Sequence, residues 1–311
     1  MTTDALLPAL AARVRATAHA DTPACACGAA TLTTLADRPD ATVLRHAGAV
    51  AKAHAADADP AALALRVEVA AGLPGVLLPP LAPAPVTLYG RLVTSWPYGT
   101  PVDPEDPDAA PWEAAAVLLA RLHRAPVPAA VPATRGPAKA AQAVARLRAG
   151  APDHPATDPV LRAWADLPAW ARGEAAPPAA GLVHGDFHLG QLVRHPVPGG
   201  PWLLIDVDDL GTGVPAWDLA RPAAWYACGL LPPDEWHRFL TAYRAAGGPA
   251  VPSEGDPWPA LDVPARALTV QTAARSVTKA VAANRPLDEV ELPLVDACAR
   301  MAAVRPRAPG G

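Results

Sequence analysis

Lysine is nearly missing from this chain: of its 26 basic side chains only three, Lys52, Lys139 and Lys279, are lysines. There is no basic excess either. The basic side chains face 30 carboxylates, for a net charge of −4, which excludes the general attraction to phosphate backbones that nucleic-acid binding needs. No run of about 18 apolar residues occurs, and the first ten residues carry Asp4 without a basic stretch. Neither a membrane span nor a secretory signal is therefore expected, and the chain reads as cytoplasmic. Cysteine is sparse, at Cys25, Cys27, Cys228 and Cys298. Cys25-Ala26-Cys27 lacks the wider spacing and second pair of a zinc site, so ordinary thiols are expected.

Proline and apolar residues, by contrast, are plentiful: 40 prolines, and a hydrophobic content of 51%. The prolines are scattered between periodic segments, which fits punctuated loops in a globular protein and not a disordered tract. A length of 311 residues can bury the core of one large or two modest domains.

The most informative stretch is residues 181–209. Short apolar runs at Leu182-Val183 and Gln191-Leu192-Val193 flank a loop holding His184, Asp186, His188 and Gln191. A third run, residues 202–205, follows a turn rich in proline and glycine and ends in Asp206, Asp208 and Asp209. The pattern predicts strand, polar loop, hairpin and acidic tip, with two acidic clusters at one end of a small sheet. Carboxylates gathered at strand ends repel unless a cation or a proton lies among them. The hard oxygens of Gln191 and Asp206 suit Mg2+. Asp186 is then free to act as a base, the combination that phosphoryl transfer uses.

His184-Gly185-Asp186-Phe187-His188-Leu189-Gly190-Gln191, then Ile205-Asp206, then the segment 211–220 ending Trp217-Asp218-Leu219-Ala220, resemble the signature of the aminoglycoside phosphotransferase and choline kinase-like family. The resemblance implies an α+β, bilobal protein-kinase-like fold, with a small antiparallel-sheet N-lobe at residues 1–98 and a mainly helical C-lobe at 99–311. It implies ATP and Mg2+ as cofactors and a small-molecule hydroxyl as acceptor. Asp186 would be the catalytic base, Gln191 and Asp206 the metal ligands, and Asp218 a structural anchor. Gln191 stands where the family usually has Asn, which makes the H-L-G-Q loop similar to maltokinase and glucosamine kinase-like members. Val214 stands where an acidic residue is common.

Upstream, residues 31–35, 41–45 and 49–54 read as three short strands, where the resemblance places a nucleotide-covering sheet. Lys52 lies within the third. Glu68, the only glutamate before Glu105, follows in a segment opened by Asp59-Pro60 and closed by Gly72, a helix by its cap and stop. The alternation of Leu63, Leu65, Val67 and Val69 equally fits a strand. Lys52 and Glu68 resemble the pair that steadies ATP phosphates in kinase-like folds; a solvated strand lysine and a surface glutamate are the plain alternative. No G-x-G-x-x-G precedes Lys52, and Gly28 stands alone, so a glycine-rich phosphate cradle is not expected. Further strands are expected at 76–81 and 86–96. The second ends in Thr94, Ser95 and Trp96, where the resemblance puts the hinge and where backbone groups could meet an adenine edge.

Helices are expected over residues 111–124, 139–149, 159–172, 215–230, 233–246, 259–284 and 287–304. His123 reads as a helix-end residue suited to the C-terminal dipole. From Arg221 onward nine acids face ten lysines and arginines. A site for polycationic aminoglycosides calls for a carboxylate excess, so a sugar, amino sugar or amino alcohol is at least as well matched. Trp225, Trp236 and Trp258 could stack on a sugar or simply fill the core.

Two other classes of function fit the same residues. One is a catalytically idle, pseudokinase-like module that binds nucleotide, consistent with the missing cradle and with Gln191. The other takes His184, Asp186, His188 and Asp206 as a transition-metal hydrolase site. No membrane or nucleic-acid partner is expected, and no motif sets the oligomeric state.

Overall fold

The structure, a computed structural model, describes residues 3–20, 32–178 and 180–303. Cys25, Cys27 and Gly28 lie outside the described residues. The chain divides into two compact units. The first comprises residues 1–111, 128–132 and 189–208, the second residues 112–127, 133–188 and 209–311.

In the first unit, strands β1 (Leu32–Arg38), β2 (Ala41–His46), β3 (Ala49–Ala53), β4 (Val86–Leu88) and β5 (Arg91–Pro97) form an antiparallel sheet in the order β1-β2-β3-β5-β4. Helix α1 (Thr3–Ala18) presents Leu6, Leu10 and Val14, one residue per turn, to Leu44, Ala51 and Val93 of that sheet. This spacing gives a single apolar stripe, which is what one sheet face can cover. Helix α2 (Pro60–Gly72) follows β3. The Asp59 carboxylate accepts hydrogen bonds from the backbone N–H groups of Ala61 at 2.8 Å and Ala62 at 3.1 Å, satisfying two of the donors that a helix start leaves over. The alternating apolar residues here therefore lie on a helix and not on a strand.

Two strand expectations need correction. Residues 76–81 form only isolated bridges, of Leu77 with Pro74 and with Leu204, because Pro79 and Pro80 cannot extend a ladder. The segment 86–96 is a hairpin and not one strand. Tyr89 and Gly90 both take positive φ, 47° and 77°, the backbone that turns two antiparallel strands tightly onto each other.

Past residue 98, β6 (Thr100–Pro101) pairs with β8 (Leu192–Arg194), which pairs with β9 (Trp202–Leu204). The segment after 98 thus stays with the first unit, whose boundary falls at 111. The β8–β9 hairpin also returns to it, so no single cut in the sequence separates the two units.

The second unit is mostly helical: α3 (Trp112–Arg124), α4 (Gly136–Gly150), α5 (Thr157–Ala165), α6 (Ala216–Ala227), α7 (Pro233–Ala245), α8 (Trp258–Ala282) and α9 (Glu291–Ala303). The expected helix at 159–172 stops at Ala165, since a residue preceding proline, here Leu167 before Pro168, is pushed out of the helical region. Helix α8 is unbroken despite Pro264. Leu268, Val270 and Val277 of α8 sit in a core shared with Leu147, Val160, Trp164, Trp217, Leu294 and Cys298. Strand β7 (Gly181–Val183) pairs with β10 (Gly211–Gly213), and not with β8 or β9. The single small sheet expected around the motif is therefore two separate pairings. No described helix is long and apolar enough to cross a membrane.

The Asp59 cap is a local contribution open to direct test. Asp59→Ala is expected to lower unfolding free energy by about 1 kcal/mol, and Asp59→Ser to recover most of it, as measured by urea denaturation.

Candidate functional site

Of the residues singled out by the sequence, Lys52 and Asp206 fall in a charged cluster of the first unit and Asp186 in a charged cluster of the second. In the first unit, β3 carries Lys52 at a half-buried position opposite Val43 of β2 and Thr94 of β5. The chain leaving β9 brings Asp206 and Asp208 to it. Lys52 Nζ lies 2.8 Å from Asp206 Oδ1 and 2.9 Å from Asp208 Oδ2. Asp206 reaches this position through a left-handed backbone, φ 64°, uncommon for a residue with a side chain. Burial works to lower the Lys52 pKa, but the two carboxylates outweigh it and hold the ammonium more firmly charged than usual. Asp208 is the mirror case. Burial raises its pKa, and Lys52 and His54 drive it well below the ordinary carboxylate range.

Asp208 has a second partner, His54 Nδ1 at 3.0 Å. His54 Nε2 is 2.8 Å from the Thr94 hydroxyl, which also accepts from Trp96 Nε1 at 2.8 Å. Nδ1–H donating to Asp208, with the Thr94 hydroxyl donating to Nε2, satisfies every link.

Gln191 ends a single 3-10 turn, Leu189–Gln191, and its carbonyl accepts from the Ile205 N–H at 2.9 Å. That bond sets Gln191 beside the start of the acidic tip. The Gln191 amide and Asp206 Oδ2 make no hydrogen bonds among the described residues. Both are hard oxygen donors, the chemistry Mg2+ takes. Among the described residues, no three His, Cys, Asp or Glu side chains gather as a metal-binding group. The transition-metal set His184, Asp186, His188 and Asp206 is accordingly not assembled.

Two expectations for this unit are corrected. Lys52 does not pair with Glu68. Helix α2 buries Leu63, Arg66, Val67 and Ala70, spaced one turn apart, and Glu68 lies off that face, exposed. Nor is the segment Thr94–Trp96 a free edge. The Ser95 carbonyl accepts from the Leu81 N–H at 2.8 Å, and by the alternation of an antiparallel ladder the Thr94 and Trp96 backbone groups face β3.

In the second unit, the loop after β7 carries Asp186. Helix α6 holds this loop from behind. Asp218, in its first turn, accepts hydrogen bonds from the backbone N–H groups of His184 at 2.6 Å and Gly185 at 2.8 Å. His123 Nε2 lies 2.9 Å from the same carboxylate, and His123 Nδ1 lies 2.7 Å from the Tyr243 hydroxyl. His123 lies in the last turn of α3, as expected of a helix-end residue, but it is buried and braces the anchor. Gly185 takes φ 87°, and a Cβ there would lie 2.3 Å from the Thr134 hydroxyl and 2.4 Å from the Asp209 carbonyl. Only glycine permits that approach.

So held, Asp186 meets two cations, one on each oxygen. Lys139 Nζ is 2.8 Å from Oδ2, and Arg221 is 2.8 Å from Oδ1. Arg221 also donates through Nε to the Phe187 carbonyl at 3.1 Å. Lys139 bridges onward to Asp209, whose other oxygen lies 3.8 Å from Arg135. Burial raises the Asp186 pKa, but Lys139, Arg221 and His188 outweigh it, and the net shift is strongly downward. Asp209 goes the other way: burial, helped by the charge on Asp186, lifts its pKa despite Lys139 and Arg135.

Lys139, Arg221, Asp208, Asp209 and His54 carry no role in the sequence reading. Their partners lie 35 or more residues away in the chain, so no local spacing reveals them. The one usable signal is the scarcity of lysine, because two of the three lysines sit between paired carboxylates.

Because the folded pKa of Asp186 is depressed, its ion pairs contribute stability above the unfolded value of about 4 and lose it as pH falls. From about pH 5 to about pH 3 the wild-type chain should lose unfolding free energy more steeply than Asp186→Asn. Urea titrations of both proteins at each pH check this.

No curated protein sequence matches the chain. Among solved structures, a choline/ethanolamine kinase family protein from Mesorhizobium loti is similar at 18% identity and a TM-score of 0.54, covering 93% of this chain and 92% of its own. A macrolide 2'-phosphotransferase from Brachybacterium faecium is similar at 19% identity and a TM-score of 0.51, covering 96% and 100%. An aminoglycoside phosphotransferase, solved as a ternary complex with AMP-PNP and hygromycin B, is similar at 13% identity and a TM-score of 0.57, covering 92% and 96%. These likenesses show the protein-kinase-like fold. The model of the phosphotransferase enzyme family matches residues 11–259, most of the chain and both charged clusters, and the chain belongs to that family.

Proposed function

We propose that the chain transfers the γ-phosphoryl group of ATP to a hydroxyl of a small molecule: a sugar, amino sugar, amino alcohol or aminoglycoside. The observation that carries this reading is Asp186. Its loop is fixed by two backbone hydrogen bonds to the buried Asp218, and its carboxylate is held ionised by flanking cations. A carboxylate so placed can orient an acceptor hydroxyl and take its proton as the new P–O bond forms.

Lys52 supplies a fixed positive charge for the nucleotide phosphates. Gln191 and Asp206 would hold Mg2+, which when bound neutralises phosphate charge. The segment holding Thr94, Ser95 and Trp96 is proposed to lie against the adenine. The balance of nine acids and ten bases from Arg221 onward favours a neutral or singly charged acceptor over a polycation. The reaction is proposed to run in the cytoplasm.

An idle nucleotide-binding module is the second reading. The observation in its favour is that both Asp186 oxygens are already engaged. An acceptor screen read by ADP release separates the two readings. With an acceptor found, Asp186→Asn should lower turnover by about 10²–10⁴-fold and leave ATP binding by calorimetry within about threefold. Near-full activity in that variant would contradict the role given to Asp186.

A further inference from the structure

Each Asp186 oxygen accepts from one cation and keeps a second lone pair for an acceptor hydroxyl. When the carboxylate takes the hydroxyl proton its charge is lost, and the ion pair to one of its two cations then loosens. Arg221 is the poorer candidate. Its guanidinium is fixed a second time by Nε donating to the Phe187 carbonyl, so withdrawing it breaks two bonds made to one short loop. Lys139 is the better one. It already reaches a second carboxylate, Asp209, so it can leave Oδ2 of Asp186 without losing an ionic partner.

Asp209 is well placed to receive it. Asp209 is buried, and its backbone carbonyl accepts from the Thr134 hydroxyl at 2.9 Å. Thr134 and Lys139 are in turn only five residues apart, on either side of the α4 start. The choice of side chain fits the task. An ammonium is a compact point charge on a flexible stem that can pass between two acceptors, whereas a guanidinium fork commits to one. In a chain with three lysines among 26 basic residues, lysine occupies this place and arginine the fixed one.

Resting on the phosphotransferase reading above, we propose that Lys139 is a catalytic residue: an ammonium that gives up Asp186 Oδ2 to the acceptor hydroxyl, leans on Asp209, and contacts the acceptor oxygen and the phosphoryl group being transferred. The hydroxyl proton goes to Asp186, and the acceptor oxygen forms the new bond to the γ-phosphorus. The bond from that phosphorus to the β–γ bridging oxygen breaks, and its electron pair leaves with ADP. Lys139 keeps its own proton throughout and stabilises negative charge on the oxygens. Its return to Asp186 after transfer favours release of the proton from that carboxyl.

The competing explanation is purely structural, that Lys139 only neutralises the buried Asp209. A double substitution separates them. Steady-state ADP release with ATP and an acceptor from the screen is measured for wild type, Lys139→Met, Lys139→Arg and Lys139→Met/Asp209→Asn, with thermal unfolding of each recorded. The expected result is a fall in kcat of about 10²-fold or more for Lys139→Met, with KM for ATP changed less than about threefold. Lys139→Arg should recover only a minor part. The double variant, which removes the buried charge along with its partner and so preserves the fold, should stay as slow as Lys139→Met. If Lys139→Met keeps kcat within about threefold of wild type, or if the double variant returns to wild-type turnover, the inference is overturned while the phosphotransferase reading stands. A wild-type protein that turns over no acceptor overturns that reading, and this inference with it.

Discussion

A lysine held between two carboxylates is the interaction on which the functional part of this molecule depends, and the chain makes it twice. Lys52 joins Asp206 to Asp208 in one unit, and Lys139 joins Asp186 to Asp209 in the other. Each arrangement solves the same problem. Carboxylates gathered in one place repel one another and lose hydration when half-buried, and an unpaired buried charge costs several kcal/mol against a total stability of about 5–15 kcal/mol. An ammonium at hydrogen-bond distance offsets that penalty. The protein therefore carries positive charge at the places where a metal ion, a phosphate or an acceptor would otherwise be needed to complete the balance.

The scaffold around these pairs is stiff where the chemistry asks for it. Asp218 is buried beneath the loop and accepts from two successive N–H groups, and its remaining capacity goes to His123, which Tyr243 fixes from the far side. Burial lifts the Tyr243 pKa well above its usual range, so that hydroxyl keeps its proton. Gly185 lets the loop pass close against Thr134 and Asp209. On the other unit, the Ile205-to-Gln191 hydrogen bond and the left-handed Asp206 hold the acidic tip against β3. The backbone at Asp186 and at Asp206 is thus held by hydrogen bonds beyond the ion pairs of their own side chains.

Much of this was legible in the sequence where the signal was local. The Asp59-Pro60 cap, the short strands around Lys52 and the run from His184 to Gln191 all depend on neighbours in the chain, and the family membership follows from the same runs. What was not legible depends on contacts distant in sequence. The spacing of Lys52 and Glu68 suggested an ion pair, but the helical period turned Glu68 outward while Asp206 and Asp208, more than 150 residues later, took the lysine. His123 had the composition of a helix end and proved to be core, because Tyr243 and Asp218 come from helices far along the chain. Tyr89-Gly90 lacked the asparagine or aspartate that usually announces a tight hairpin, so two strands read as one.

The central claim is that Asp206 and Gln191, beside a lysine-neutralised acidic tip, form the place where a divalent ion and the nucleotide phosphates are held. Isothermal titration of ATP into the wild-type chain and into Asp206→Asn, each with Mg2+ and with EDTA, tests it most directly. The account predicts that Mg2+ tightens ATP binding to the wild-type chain by tenfold or more, about 1.4 kcal/mol, and that Asp206→Asn loses most of that gain. Equal affinity with Mg2+ and with EDTA, or a gain from Mg2+ that survives in Asp206→Asn, would contradict it.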